Sequence, residues 1–285
     1  MDHLEQEVRR TIHIALSEDR ISNDITSRAC VDSEKKARAD FVLKQNSKIA
    51  GLRFLPWACE MIDPSMKWSV HVLEGGHYSP STSLASLEGS ARSILSGERT
   101  MLNLLQHTSG IAQLTAQFVE AVKGFDCDIL DTRKTLPGLR AIQKYAVQAG
   151  GGKNHRFHLE DRFLIKNNHL KILKGMHMQP VIEALRRAKE MQPQALVEVE
   201  VENLSQLEEA LIGKADIILL DNMTPSLVGE AVKIAKGKAY LEASGGISLA
   251  NVRAYAATGV NGISIGALTH SAPAVDISLR MVHNA

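Results

Sequence analysis

Two groups of side chains in this sequence have the types and spacing to do chemistry, and they carry opposite charge. From Asp131 to Lys174, ten lysines and arginines face three acids, a local excess of +7 before His155, His158 and His169 are counted. From Ala195 to Glu242, nine acids face four lysines, a local excess of −5. Charge runs of this kind are commonly solvated faces, but here the charges follow short apolar runs. Cys127-Asp-Ile-Leu leads into Asp131-Thr132-Arg133-Lys134, and Phe163-Leu-Ile into Lys166. A Val-Glu alternation carries Glu200 and Glu202, and Asp216-Ile-Ile-Leu-Leu runs into Asp221. Arginine suits bidentate recognition of carboxylate or phosphate. Acids such as Glu200 and Asp221 suit Mg²⁺, which takes one or two carboxylates together with substrate phosphates and water. The combination fits a small, multiply anionic ligand plus a divalent cation. Ser244-Gly245-Gly246 and Gly266-Ala267 follow two further apolar runs and expose backbone N–H groups ahead of helices, an arrangement that binds phosphate. Each glycine alone reads first as an ordinary turn residue; the pair at consecutive strand ends brings the phosphate reading level with it.

The elements that must position these groups read as a strand–helix alternation. Six apolar runs from about residue 127 onward are separated by helical patterns, which implies parallel βα units with right-handed crossovers. Pro180–Met191 has helical apolar spacing. Ser205 to Leu211 opens with a capping-box spacing to Glu208, and Thr224-Pro225 reads as an N-cap followed by the first helical position. A further helix is predicted from Ser248 to Ala257, closing at Gly259. Six βα units favour a closed or nearly closed α/β barrel over an open sheet, which periodicity alone does not exclude, and the absence of a G-x-G-x-x-G or a P-loop weighs against those nucleotide folds. In such barrels the active site lies at the C-terminal strand ends, where this chain concentrates its charge. Val197, Val199 and Val201 can face the helical layer, which sends Glu198, Glu200 and Glu202 to the opposite side. Buried there, those carboxylates need cations or a metal.

Residues before about 125 read differently. Leu4, Val8, Ile12 and Leu16 mark an amphipathic first helix, strand-like pieces follow, and a long helical stretch from Ala91 to Val122 is predicted to break near Ser109-Gly110. A smaller α/β domain over 1–108 is expected to lead into a barrel over 109–268, with a tail, 269–285, packing back on the first domain.

Composition excludes several function classes. The 285-residue chain is 44% hydrophobic and 23% charged with a formal net charge of +1, so it is neither disordered nor equipped with a global field for nucleic acid or anionic membranes. No apolar run approaches the ~18 residues of a membrane span. The acidic opening Met1-Asp-His-Leu-Glu lacks the order of a secretory signal, and Cys30, Cys59 and Cys127 are few, distant and odd in number. Reduced thiols in a cytoplasmic protein are the expectation. Zinc at the histidines is disfavoured by the intervening arginines and lysine, and Cys127 lies at a strand start, away from the predicted mouth.

The same residues resemble quinolinate phosphoribosyltransferase. The resemblance rests on Asp131-Thr-Arg-Lys-Thr-Leu-Pro-Gly-Leu-Arg140, Gly150-Gly-Gly-Lys-Asn-His-Arg156, Leu164-Ile-Lys-Asn-Asn-His169, Leu219-Leu-Asp-Asn-Met, Glu242-Ala-Ser-Gly-Gly-Ile and Ile263-Ser-Ile-Gly-Ala. Glu98-Arg-Thr-Met-Leu-Asn matches upstream, so nearly the whole chain is covered. The resemblance implies the type II phosphoribosyltransferase fold, an N-terminal α/β sandwich-like domain with an incomplete α/β barrel. It implies a cytoplasmic homodimer acting on quinolinate and phosphoribosyl pyrophosphate (PRPP) with Mg²⁺, no organic cofactor, and no nucleic-acid or membrane partner. The product is nicotinate mononucleotide, with release of CO₂ and pyrophosphate, in de novo NAD synthesis.

Carried over residue by residue, Arg133, His155, Arg156 and Lys166 would clamp the two carboxylates. Thr132 and Lys134 would lie beside them near the donor, with Lys134 catalytic, and Arg99 would arrive from a partner subunit. Glu200 and Asp221 would sit at the ribose and the metal. Ser244, Gly245, Gly246, Ile265, Gly266 and Ala267 would hold the 5-phosphate. The chain departs from the family pattern at Asn23, at His158 and at Asn167, where aspartate is usual. Two competing readings are a paralogue using a monocarboxylate and a polyanion-binding protein. The first needs fewer cations than this set provides, and the second lacks interleaved aromatics.

Overall fold

The first helix forms where its apolar spacing predicts, over His3–Asp19 with Val8, Ile12 and Leu16 buried, in a computed structural model that describes residues 3–282. The described residues fall into two units. One takes those up to Ala116, then Thr135–Gly151, then those from Ala267. Its strands in chain order are β1 (Lys36–Leu43), β2 (Ser47–Lys48), β3 (Lys67–Val70), β4 (His77–Tyr78) and β5 (Ser83–Ser90). The segment Ile277–Val282 pairs antiparallel with β1, β1 with β5, and β5 with β3, while β2 and β4 form a separate ribbon. Residues 1–2 and 283–285, the ends of the opening segment and of the expected tail, lie outside the described residues. Phe41, Leu43, Phe54, Leu84, Leu87 and Ile94 build one hydrophobic core in this unit.

The long helix does not break near Ser109-Gly110; it is continuous over Ala91–Ala121. The reason is packing. Ser109 is fully buried and exchanges hydrogen bonds with the backbone of Ala50. A Cβ on Gly110 would meet the carbonyl oxygen of Pro273 at 2.1 Å. A small residue is needed for that approach, and tertiary contact outweighs the roughly 1 kcal/mol helix penalty of glycine.

The second unit takes Gln117–Lys134 and Gly152–Gly266. It carries β6 (Asp128–Leu130), β7 (Phe163–Ile165), β8 (Val197–Val201), β9 (Ile217–Asp221), β10 (Tyr240–Ser244) and β11 (Gly262–Ser264). They form one sheet in the order β6-β11-β10-β9-β8-β7, and every pairing is parallel. Among the described residues β6 and β7 do not pair, so the barrel is incomplete, as the resemblance implies. Val197, Val199 and Val201 are fully buried.

Connecting helices follow local signals with two corrections. Pro180–Met191 is helical as read, and Thr224 caps Pro225–Ala235 by accepting from the Leu227 N–H. The helix predicted to start at Ser205 runs over Leu204–Ile212 instead, capped by the Asn203 side chain, which accepts from the Gln206 N–H at 2.9 Å. Asparagine, two residues earlier, caps as well as serine does, and its bond to the Gln206 N–H sets the start of the helix. The predicted helix Ser248–Ala257 shortens to Val252–Ala256, because the Asn251 side chain turns back to accept from the Ser248 N–H at 2.8 Å.

Candidate active site

Period-two geometry within the barrel unit brings the charged strand ends around one cavity of about 260 Å³. Past the end of β6 the chain supplies Thr132, Arg133 and Lys134, and the segment before β7 supplies His155 and Arg156. Glu200 comes from β8 and Asp221 from β9, while Lys166 follows β7. Leu164, Leu219, Glu242, Ser244 and Ser264 complete the lining. In register, Asp221 pairs with Ser244 and Ser244 with Ser264, so one rung of the sheet forms the rim. Leu219 and Glu242 form part of the rung below.

The cationic side is built on buried backbone. Lys153 forms a parallel bridge with Leu130, and its N–H donates to the Ile129 carbonyl at 2.8 Å. Two residues on, the His155 N–H donates to the fully buried carboxylate of Asp131 at 2.8 Å. The His155 Nδ1 accepts from the Arg156 N–H at 2.8 Å, which leaves the proton of a neutral ring on Nε2. That nitrogen is 3.2 Å from Glu198 Oε1. Arg156 is only 8% exposed, and burial together with nearby Arg133 pulls its pKa below the usual arginine range. Guanidinium remains charged at any physiological pH. The Nε atoms of Arg133 and Arg156 are buried without a hydrogen-bond partner among the described residues. Such donors are costly to leave unmade, and an anion entering the cavity would satisfy them.

The acidic side is organised by asparagines. Glu200 Oε2 accepts the Asn167 N–H at 3.0 Å, and the Asn167 side chain donates to Glu202 Oε1 at 2.9 Å. Burial, then the charge of Glu202, raises the Asp221 pKa, against the opposing pull of Lys134, Asn222 and Lys166. Carboxylates arranged this way, with oxygens to spare, fit a hard divalent cation. Asn222 adopts a left-handed conformation (φ 55°) and its side chain donates to Asp221 Oδ2 at 2.9 Å. Gly245, at φ +94°, lies so near that a Cβ there would meet Asn222 Oδ1 at 2.1 Å. Glycine is required at that position on both counts.

Two family models match the chain. "Quinolinate phosphoribosyl transferase, N-terminal domain" covers residues 24–109, and the corresponding C-terminal domain covers 111–280. This chain belongs to the quinolinate phosphoribosyltransferase family. Among its relatives is a nicotinate-nucleotide pyrophosphorylase (carboxylating) of Mycobacterium leprae (strain TN), 41% identical over 95% of this chain and 96% of that one. A quinolinate phosphoribosyltransferase (decarboxylating) of Nicotiana tabacum is 35% identical, spanning 98% of this chain and 83% of its own. The solved nicotinate-nucleotide pyrophosphorylase of Francisella tularensis superposes with a TM-score of 0.90 at 36% identity, over 98% and 97% of the two chains.

Of the residues that the quinolinate phosphoribosyltransferase resemblance singles out, Thr132, Arg133, Lys134, His155, Arg156, Lys166, Glu200, Asp221 and Ser244 converge on the cavity. Arg99 does not line it; it stands exposed on the helix Ala91–Ala121 in the other unit. Gly245, Gly246, Gly266 and Ala267 also lie outside the lining. The role expected of Ile265 is corrected. Its N–H donates to the Leu130 carbonyl at 2.9 Å and its side chain is 2% exposed, so this donor is committed across the sheet. Leu164, Leu219, Glu242 and Ser264 were not singled out, although parity could have found three of them. Leu219 and Glu242 each lie two residues before an expected site residue on the same strand, and Ser264 sits in register with Ser244. Burial and then the adjacent aspartates push the Cys127 thiol up to about 12, which disfavours the thiolate a nucleophile needs.

Proposed function

We propose that this chain transfers the phosphoribosyl group of PRPP to quinolinate with loss of CO₂, yielding nicotinate mononucleotide and pyrophosphate in NAD biosynthesis. The observation that carries the reading is the pair of unpartnered, buried guanidinium donors, Arg133 Nε and Arg156 Nε, in the same cavity as Glu200 and Asp221. A dicarboxylic acid needs more cations than a monocarboxylic one, and Arg133, Arg156 and Lys166 supply three, with His155 in the same cavity lining. Each charge-assisted bond contributes about 1.5–3 kcal/mol.

Held by its carboxylates, quinolinate presents the ring nitrogen to the anomeric carbon of the donor, a positioning effect worth several kcal/mol. As pyrophosphate departs, positive charge builds on the ribose, and Glu200 and Asp221 stabilise it. Lys134, exposed at the cavity mouth, faces the phosphates of the donor. Mg²⁺, when held by Glu200 and Asp221, supplies neutralisation of the leaving group. The bond from the ring to the adjacent carboxylate then breaks, its electron pair is stabilised by the new pyridinium, and a proton from solvent completes the product. Ser244 and the Gly245-Gly246 turn bind the 5-phosphate. Exposed Arg99 suits delivery across a homodimer interface to the partner's cavity. No helix among the described residues is long and apolar enough to cross a membrane, and the working compartment is the cytoplasm. Incubation with quinolinate, PRPP and Mg²⁺ releases CO₂ and forms nicotinate mononucleotide; turnover of nicotinate in place of quinolinate would overturn the assignment.

A further inference from the structure

Glu198, two residues before Glu200 on β8, is fully buried and lies outside the cavity lining. Its Oε1 accepts from His155 Nε2 at 3.2 Å, and its Oε2 forms an ion pair with Arg162 Nη2 at 3.0 Å. Both partners lead to the same residue. The other ring nitrogen of His155 accepts the Arg156 N–H at 2.8 Å, and the Arg162 carbonyl accepts from Arg156 Nη1 at 3.1 Å. One carboxylate therefore reaches Arg156 by two routes, through its peptide and through its guanidinium. Glu242 Oε1 lies 3.7 Å from the same nitrogen, His155 Nε2.

We propose that Glu198 is a positioning residue that holds Arg156 in its dicarboxylate-binding geometry from beneath the cavity, without itself touching substrate. The proposal rests on the reading of Arg156 as part of the quinolinate clamp. Two features favour positioning over simple charge balance. Each Glu198 oxygen faces its own partner, Oε1 by a hydrogen bond with His155 and Oε2 by an ion pair with Arg162 that lacks hydrogen-bond geometry, and the two partners lead to opposite ends of the Arg156 residue. A charge-balancing acid needs only nearness, whereas a positioning acid needs this two-point geometry, because a free arginine loses rotamer entropy each time it binds. His155, Glu198 and Glu242 also offer ligand atoms within 4.8 Å of one another. Arg162 Nη2, 3.0 Å from Glu198 Oε2, supplies positive charge where a metal would otherwise have to.

The test compares Glu198→Ala, Glu198→Gln and Arg156→Ala in steady-state kinetics, with thermal unfolding as the check on folding. Glu198→Ala raises KM for quinolinate at least about tenfold, as loss of a charge-assisted bond should, while KM for PRPP stays within about twofold. Glu198→Gln keeps an acceptor for His155 but turns an amide toward Arg162, so its quinolinate KM falls between wild type and alanine. Should Glu198→Ala fail to fold, Glu198→Gln and direct calorimetric titration with quinolinate give the same reading. Equal shifts in both KM values, or no shift in either variant while Arg156→Ala raises quinolinate KM, would overturn the positioning role alone. No effect of Arg156→Ala would overturn the clamp and the inference with it. One mole of transition metal per wild-type chain, lost in Glu198→Gln, would show that the cluster is a metal site and sink the proposal.

Discussion

Strand β8 places two glutamates on one face at different depths, and their environments differ completely. Glu200, at the rim, is partly exposed, lines the cavity and accepts a single backbone N–H. Glu198, below it, is sealed and engages a histidine and an arginine. The same pairing of depths recurs on neighbouring strands, with Asp221 on β9 at the rim and Glu242 on β10 beneath. Burial, then the charge of Glu198, pushes the Glu242 carboxyl up to about 7. An acid at the rim can answer charge that appears during reaction, because its lone pairs face the cavity. An acid in the floor has its electrostatics settled by the protein and can only shape what lies above it.

This contrast can be broken most directly at the rim. Glu200→Gln should lower kcat about 100-fold, the scale of losing one preorganised electrostatic group at a transition state, with quinolinate KM nearly unchanged. Rapid-quench measurement of pyrophosphate release checks it, and a loss confined to KM would erase the distinction between rim and floor.

The floor is probed through pH. Burial and the charge of Glu198 raise the Glu242 carboxyl in the native protein above the ordinary glutamate value of 4.5 that applies in the unfolded chain, to about 7. Between those values the native state binds more protons, so stability falls as pH rises and levels off above about 7. The titration occurs against Glu198, His155 and Arg162. Glu242→Gln, which cannot ionise, should gain thermal stability relative to wild type on going from pH 5 to pH 8. Parallel curves for the two proteins would show that the floor acid is already ionised.

The smallest effect is expected at Glu202, the outermost acid. Asn167→Asp replaces a donor 2.9 Å from Glu202 with a second negative charge. Because Glu202 is exposed, screening limits the cost to about 1 kcal/mol or less, seen as a rise in PRPP KM of no more than about fivefold that shrinks in high salt.

Much of the site was legible because strand parity is a local property. Val-Glu alternation told which residues face inward, and the charged residues after each apolar run told which end carries chemistry. The helix break near Gly110 was misread because a glycine is ambiguous without its neighbours; here Pro273 presses against it. Ile265 was misread for a related reason. Its N–H could serve a phosphate or the next strand, and only the β6 pairing decides. The cap at Asn203 was open to reading, since asparagine caps as well as the serine two residues after it.

Composition and periodicity by themselves determined parallel βα units with opposed charges at their strand ends, and favoured a barrel over an open sheet, since apolar spacing and strand parity are encoded within a few residues. Depth was decided elsewhere. Glu198, Glu200 and Glu202 are the same residue at the same spacing, and nothing local separates an anchor for Arg156 from a rim group or a solvated acid. Only the assembly of six strands into one curved, incomplete barrel, which brings residues more than forty positions apart such as His155 and Glu198 within 3.2 Å, sets how much water each carboxylate keeps. Its partners and its task follow from that.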